Sequence, residues 1–230
     1  MEKSILNIQL SSFCDSPIKV DAKTSTSIVS ELNKNSDIEF LPNIIVLPTL
    51  NMMTGKIDNI QTLAFSSTKQ TESIVCNGNR IDIVFNLLPE KSFNETINSI
   101  LNIMVLLMTK YDLRANRLAV NITWSSNTNT KFDNEYENKY LKNFKSLAIG
   151  EIKQWSTRIL FEKNIKTENL NEPVNVVVSQ NKELESQEVY HIDINTKQER
   201  QFFRFKQDNL KNYFNCLIDL LYEVMGEKKL

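Results

Sequence analysis

From Ser92 onward the chain carries apolar side chains at helical spacing. Phe93, Ile97, Ile100, Leu101, Met104, Leu107, Met108 and Tyr111 fall on one stripe, behind a Ser92-Phe93-Asn94-Glu95 start that fits a capping box. This predicts a helix over 92–112, with Ile103, Val105 and Leu106 widening its apolar face so that it packs on more than one side. A second stripe of Leu210, Tyr213, Phe214, Leu217, Leu220, Leu221 and Val224 predicts another helix over 208–225. Each stripe has to be buried against another layer, and the segments around the helices supply it as strands.

Residues 4–13 set Ile5, Asn7 and Gln9 opposite Leu6, Ile8 and Leu10, the period of a half-buried strand. Ile28, Val29 and Leu32 predict a short helix over 24–35. Strands follow from Phe40, from Asn59, over 73–76 and over 80–87. The last two flank Asn77-Gly78-Asn79, a hairpin signal because Asn and Gly both tolerate positive φ. Beyond the first long helix, 117–124 reads as a strand. Tyr136, Tyr140, Leu141, Phe144 and Leu147 predict a helix over 134–147, and 155–165, 174–179, 189–195 and 201–205 read as strands.

The fold class is therefore α+β: mainly antiparallel sheet with two long helices packed on one face. The order strand, helix, three to four strands, helix occurs twice, predicting a pseudo-duplication with halves 1–113 and 114–230 that form one unit. No residue-level repeat accompanies it. An antiparallel sheet covered on one face leaves the other as a binding surface.

Chemistry is constrained by scarcity. One histidine and four glycines in 230 residues leave little for histidine relays, hydrolytic zinc sites or glycine-built phosphate cradles. No P-loop, dinucleotide turn, Gly-x-Ser-x-Gly elbow or Cys-x-x-Cys pair occurs. The expectation leans away from an enzyme, with no cofactor. The net charge of −1, from 27 basic and 28 acidic residues, gives no global field toward nucleic acid or anionic lipid. Three scattered cysteines, Cys14, Cys76 and Cys216, read as free thiols of a reducing compartment. The most apolar stretch, 97–108, is too short and polar to span a bilayer. Cytoplasmic residence without membrane association is the reading. The 28 asparagines reflect an AT-rich genome and fit a bacterial, phage or mobile-element accessory protein.

Four places carry candidate sites. His191 and Asp193 share one strand face, where the carboxylate can orient the imidazole; alternatively they belong to a solvated polar stripe. Phe202, Arg204 and Lys206 interleave an aromatic with cations, a pattern that stacks bases and contacts phosphates. In a strand, though, the same run puts Phe203 and Phe205 in the core. Met52 and Met53, beside a turn at Gly55, are adaptable contacts for a partner or plugs beneath the loop. Asp82 with Glu151 and Lys153 imitates a carboxylate metal motif, or is simply solvated charge.

Taken together, the residues favour a non-enzymatic protein–protein interaction or adaptor subunit of a cytoplasmic complex, self-association included. Nucleic-acid binding by an exposed sheet face is the first alternative, and a carboxylate/Mg-dependent enzyme such as a nuclease the second.

Overall fold

The computed structural model describes residues 3–50, 55, 57–86, 92–126, 154–167, 170–183, 188–197 and 202–226. The described elements run β1 (Lys3–Cys14), α1 (Ala22–Asn35), β2 (Phe40–Leu50), β3 (Ile57–Ser67), β4 (Glu72–Asn77), β5 (Arg80–Asn86) and α2 (Phe93–Lys110). They continue with β6 (Ala115–Ser126), β7 (Gln154–Thr167), β8 (Leu170–Glu183), β9 (Glu188–Thr196) and α3 (Gln207–Met225). All nine strands among the described residues join one antiparallel sheet in the order β2-β3-β4-β5-β1-β6-β9-β8-β7. The sheet does not break at the seam expected near 113–116, because β1 pairs with β5 on one side and β6 on the other.

The register explains the core. Ile8 and Leu10 stand beside Phe85 and Ile83 of β5 and beside Ile122 and Val120 of β6. The same row continues through Ile192 and Ile194 of β9 to Val176 of β8. All are buried, and they form one cluster with Ile97, Ile100, Leu101, Met104, Leu107 and Met108 of α2 and Leu210, Phe214, Leu217 and Leu221 of α3. The Ser12 hydroxyl, buried in the same row, donates to Met108 Sδ at 3.2 Å, tying β1 to α2. Phe93 packs edge-on against Tyr222, whose hydroxyl donates to Asn94 Oδ1, so α2 and α3 also touch one another.

The helix ends follow local chemistry. Asp21 caps α1 by accepting from Thr24 N–H at 2.7 Å, and Ser92 caps α2 by accepting from Glu95 N–H at 3.2 Å. Both α2 and α3 stop at left-handed residues, Asp112 (φ 47°) and Gly226 (φ 68°). Asn33 of α1 accepts from Phe40 N–H at 2.9 Å and so pins the start of β2.

Several expectations change in detail. A bulge between Ile5 and Asn7 shifts the register of β1, so Ile5 packs on the core while Leu6 is exposed. Simple alternation would have grouped Leu6 with Ile8 and Leu10. In the β4–β5 hairpin Asn77 pairs with Arg80, so the central residues are Gly78 and Asn79. Positive φ is confined to Gly78, at 55°. β7 and β8 form a hairpin of 14-residue strands, longer than the hydrophobic runs suggested. Of the strand expected over 201–205, the described residues 202–205 do not form a ladder: their backbone pairing with the sheet is a single bridge between Phe205 and Ala115. The helix expected over 134–147 lies outside the described residues.

Candidate functional site

The face of the sheet opposite the core is built from the alternate residues of each strand. At its centre β1 presents Asn7, Gln9, Ser11 and Phe13, and β5 presents Asn86, Val84, Asp82 and Arg80 in matching positions. β6 adds Thr123, Asn121, Ala119 and Arg117, while β9 adds His191, Asp193 and Asn195. This face is rich in amides and hydroxyls rather than in one sign of charge, which suits hydrogen-bonded contact more than bulk electrostatic attraction.

Its polar groups are tied together. Asp82 accepts from Gln9 Nε2 at 2.8 Å, from the Ser11 hydroxyl at 2.5 Å and from Arg80 Nε at 2.9 Å. His191 Nδ1 lies 3.1 Å from Thr123 Oγ1, and Asp193 accepts from Asn195 Nδ2 at 3.2 Å. His191 and Asp193 thus share one face, as alternation predicted, His191 beside Thr123 of β6 and Asp193 bonded to Asn195 along β9. Phe13 sits between two guanidiniums, with Arg80 5.1 Å and Arg117 4.8 Å from its ring centre. Arg117 donates to Asn195 Oδ1 at 3.2 Å, while its Nε is buried without a hydrogen-bond partner among the described residues.

The 202–206 segment divides by residue. Phe202 and Phe203 are exposed, at 57% and 39%, whereas Phe205 is in the core and packs edge-on against Tyr213. Arg204 does not face solvent. Its side chain is 4% exposed and forms a two-pronged ion pair with the fully buried Glu172, through Nε at 3.0 Å and through Nη2. Nη1 donates to the carbonyls of Asn116 and Phe202, and the guanidinium lies over Phe205 at 4.3 Å. Because 202–206 does not run as a ladder strand, the stripe that alternation assigned to Phe202, Arg204 and Lys206 is split. Phe202 and Lys206 stay outside and Arg204 turns in.

Met52, Met53, Glu151 and Lys153 lie outside the described residues. Among the described residues no group of three or more His, Cys, Asp or Glu side chains is placed to hold a metal, and no helix is long and apolar enough to cross a membrane. Cys14 and Cys76 are buried free thiols and Cys216 is partly buried. Burial pushes the Cys14 thiol up to about 11 and the Cys76 thiol up to about 12, so neither is a thiolate at neutral pH.

The sequence reading missed the two sheet edges. Among the described strands the outermost, β2 and β7, both expose apolar side chains: Leu41, Ile44 and Val46 on β2, and Ile159, Leu160 and Phe161 on β7. Their signal was present as three apolar residues in a row at 159–161, which put apolar groups on both faces of one strand. In an interior strand that pattern means burial; at an edge it means exposure. A scan against family models finds no match for the chain, and a search of curated proteins finds no significant match either.

Proposed function

We propose that this chain is a non-enzymatic interaction module, a subunit that joins a protein assembly through the β7 edge of its sheet. The observation that carries the reading is the exposure of Ile159 (57%), Leu160 (63%) and Phe161 (39%) on an outermost strand. An open edge offers a row of backbone donors and acceptors, and an apolar one invites a further strand. Leu160→Lys or Ile159→Lys puts a charge at the centre of that edge without disturbing the core. Capture of binding partners from the native source, together with the mass of the purified chain in solution, tests the reading. Loss of an association with either variant is expected, and unchanged association with both would refute it.

Three finer features belong to the same proposal. We infer that α2 and α3 lie on one face of the sheet, supported by their mutual contact and by contacts of α2 with β1 and β5 and of α3 with β6, β7 and β9. A pseudo-duplication is supported by the symmetry of β5-β1-β6-β9 about its centre, where β5 and β9 each lead on to a long helix. Residence in a reducing compartment such as the cytoplasm is supported by the three free thiols.

A second reading, nucleic-acid binding on the face opposite the core, is favoured by one cluster. Phe13 flanked by Arg80 and Arg117 sets an aromatic ring and two guanidiniums on adjacent strands. Binding that falls steeply with salt and is lost with Arg117→Ala is the expected result. Affinity independent of salt would dismiss this reading.

A further inference from the structure

We infer that the strand which joins β7 is β7 of a second copy of this chain, paired antiparallel about a two-fold axis through Leu160. The inference rests on the interaction reading above and names its partner. A two-fold edge pairing is self-complementary, so every residue meets the residue equally far on the other side of the axis. Centred on Leu160, the pairing sets Leu160 against Leu160 of the second copy and Ile159 against its Phe161. All three exposed apolar side chains of each copy then gather at the axis.

The next residues decide the register. Arg158 falls opposite Glu162 of the second copy, and Glu162 opposite its Arg158, so the apolar centre is flanked by two opposite-charge cross-strand pairs. Both residues are exposed, and each lies on the same face of the strand as Leu160. Among the described residues Arg158 has no ion-pair partner within its own chain, whereas Glu162 is held by Lys197 at 2.7 Å while staying open to solvent. Moving the axis to residue 159 or 161 would set Arg158 or Glu162 opposite Leu160 and leave the charge without its counterpart, and moving it to 158 or 162 would face Arg158 or Glu162 with its own copy. A parallel, in-register pairing would do the same to both. Charge therefore selects the antiparallel register centred on Leu160.

β2 is the poorer edge. It carries Pro42 and Pro48, which lack an N–H and can sit in a ladder only with that position turned to the outer side, so two outward donors are missing. β7 contains no proline over its 14 residues.

The test is the solution mass of the full chain by sedimentation equilibrium across a dilution series. A dimer is expected. R158E and E162R, each placing like charges opposite one another at two sites, should weaken self-association about tenfold. Mixing R158E with E162R should restore it, because each copy then offers the sign that the other needs, and the double variant R158E/E162R should pair with itself. Thermal melts of the variants separate loss of pairing from loss of fold; both positions are exposed, so the melts should stay near wild type. A chain that is monomeric throughout overturns the inference, as does a dimer indifferent to both substitutions or a mixture that fails to re-form. The interaction reading is judged apart: if the chain is monomeric yet still loses a captured partner with L160K, that reading stands and self-pairing falls. If nothing depends on β7, both fall.

Discussion

Replacing Glu172 by Ala isolates the cost of one buried charge. In the native chain its carboxylate is fully buried and meets Arg204, whose side chain is 4% exposed, in a two-pronged ion pair. The pair joins β8 to the segment that leads into α3, and the Asn116 carbonyl brings β6 into the same network. Removing the acid strands the guanidinium in the interior, a change that costs about 3–5 kcal/mol when one partner of a buried pair is lost. Arg204 keeps the Asn116 and Phe202 carbonyls and the face of Phe205, so the lower end, about 3 kcal/mol, is expected here. For a chain of this length that corresponds to a melting temperature lower by roughly 6–12 °C. Urea unfolding of wild type and variant, at fixed pH and followed by circular dichroism, reads the difference directly. The double variant E172L/R204M, which replaces the pair by apolar groups of similar size, should lose less than E172A alone because no charge is left stranded. A loss under about 1 kcal/mol for E172A, or a double variant worse than the single one, would refute the reasoning.

Thiol titration of the native protein should find Cys14 and Cys76 unreactive and at most Cys216 accessible, with all three reacting after denaturation. Two fast thiols in the folded state would contradict the burial that raises the first two. Gly78→Ala should cost about 1 kcal/mol, since a Cβ there meets open space but the residue holds φ at 55°; no change in stability would argue against the turn geometry. Asp15 faces burial, which raises its carboxyl, but the backbone and side-chain hydrogen bonds and the charge of Arg114 outweigh it and hold the carboxyl below its ordinary value. The pair therefore stabilises above the ordinary carboxylate range and loses that contribution as pH falls through the folded-state value. The stability gap between wild type and D15N should be full at neutral pH and close in acid, and a gap constant across pH would count against it.

What the sequence made legible was periodicity. α2 and α3 were readable because their stripes recur every three or four residues, with a capping serine in front of the first. β1, β4, β5 and β9 were readable because polar and apolar residues alternate. Tertiary position was not readable. Ile159, Leu160 and Phe161 have the composition of a buried strand, and only strand order reveals that they stand at an edge. Arg204 looked like a surface cation because its partner Glu172 lies 32 residues away on another strand. Leu6 was misread because a bulge is a property of pairing, not of one strand's pattern. On the face opposite the core, Phe13, Arg80 and Arg117 lie far apart in the chain, and only the register of three strands makes them a cluster.

The middle position of β1 has a consequence for how the chain must be made. Its contacts reach Asp82 of β5, 73 residues beyond Gln9, and Arg117 of β6, whose guanidinium lies over the Phe13 ring. During synthesis this strand leaves the ribosome long before either neighbour exists, with both of its edges and its apolar row unprotected. The hairpins β2–β3 and β4–β5 close locally and can form as they emerge, whereas β1 has to wait and then insert between β5 and β6. Folding yield in the cell should therefore depend less on the stability of the finished sheet than on how well its central strand is shielded until the chain has passed Ser126.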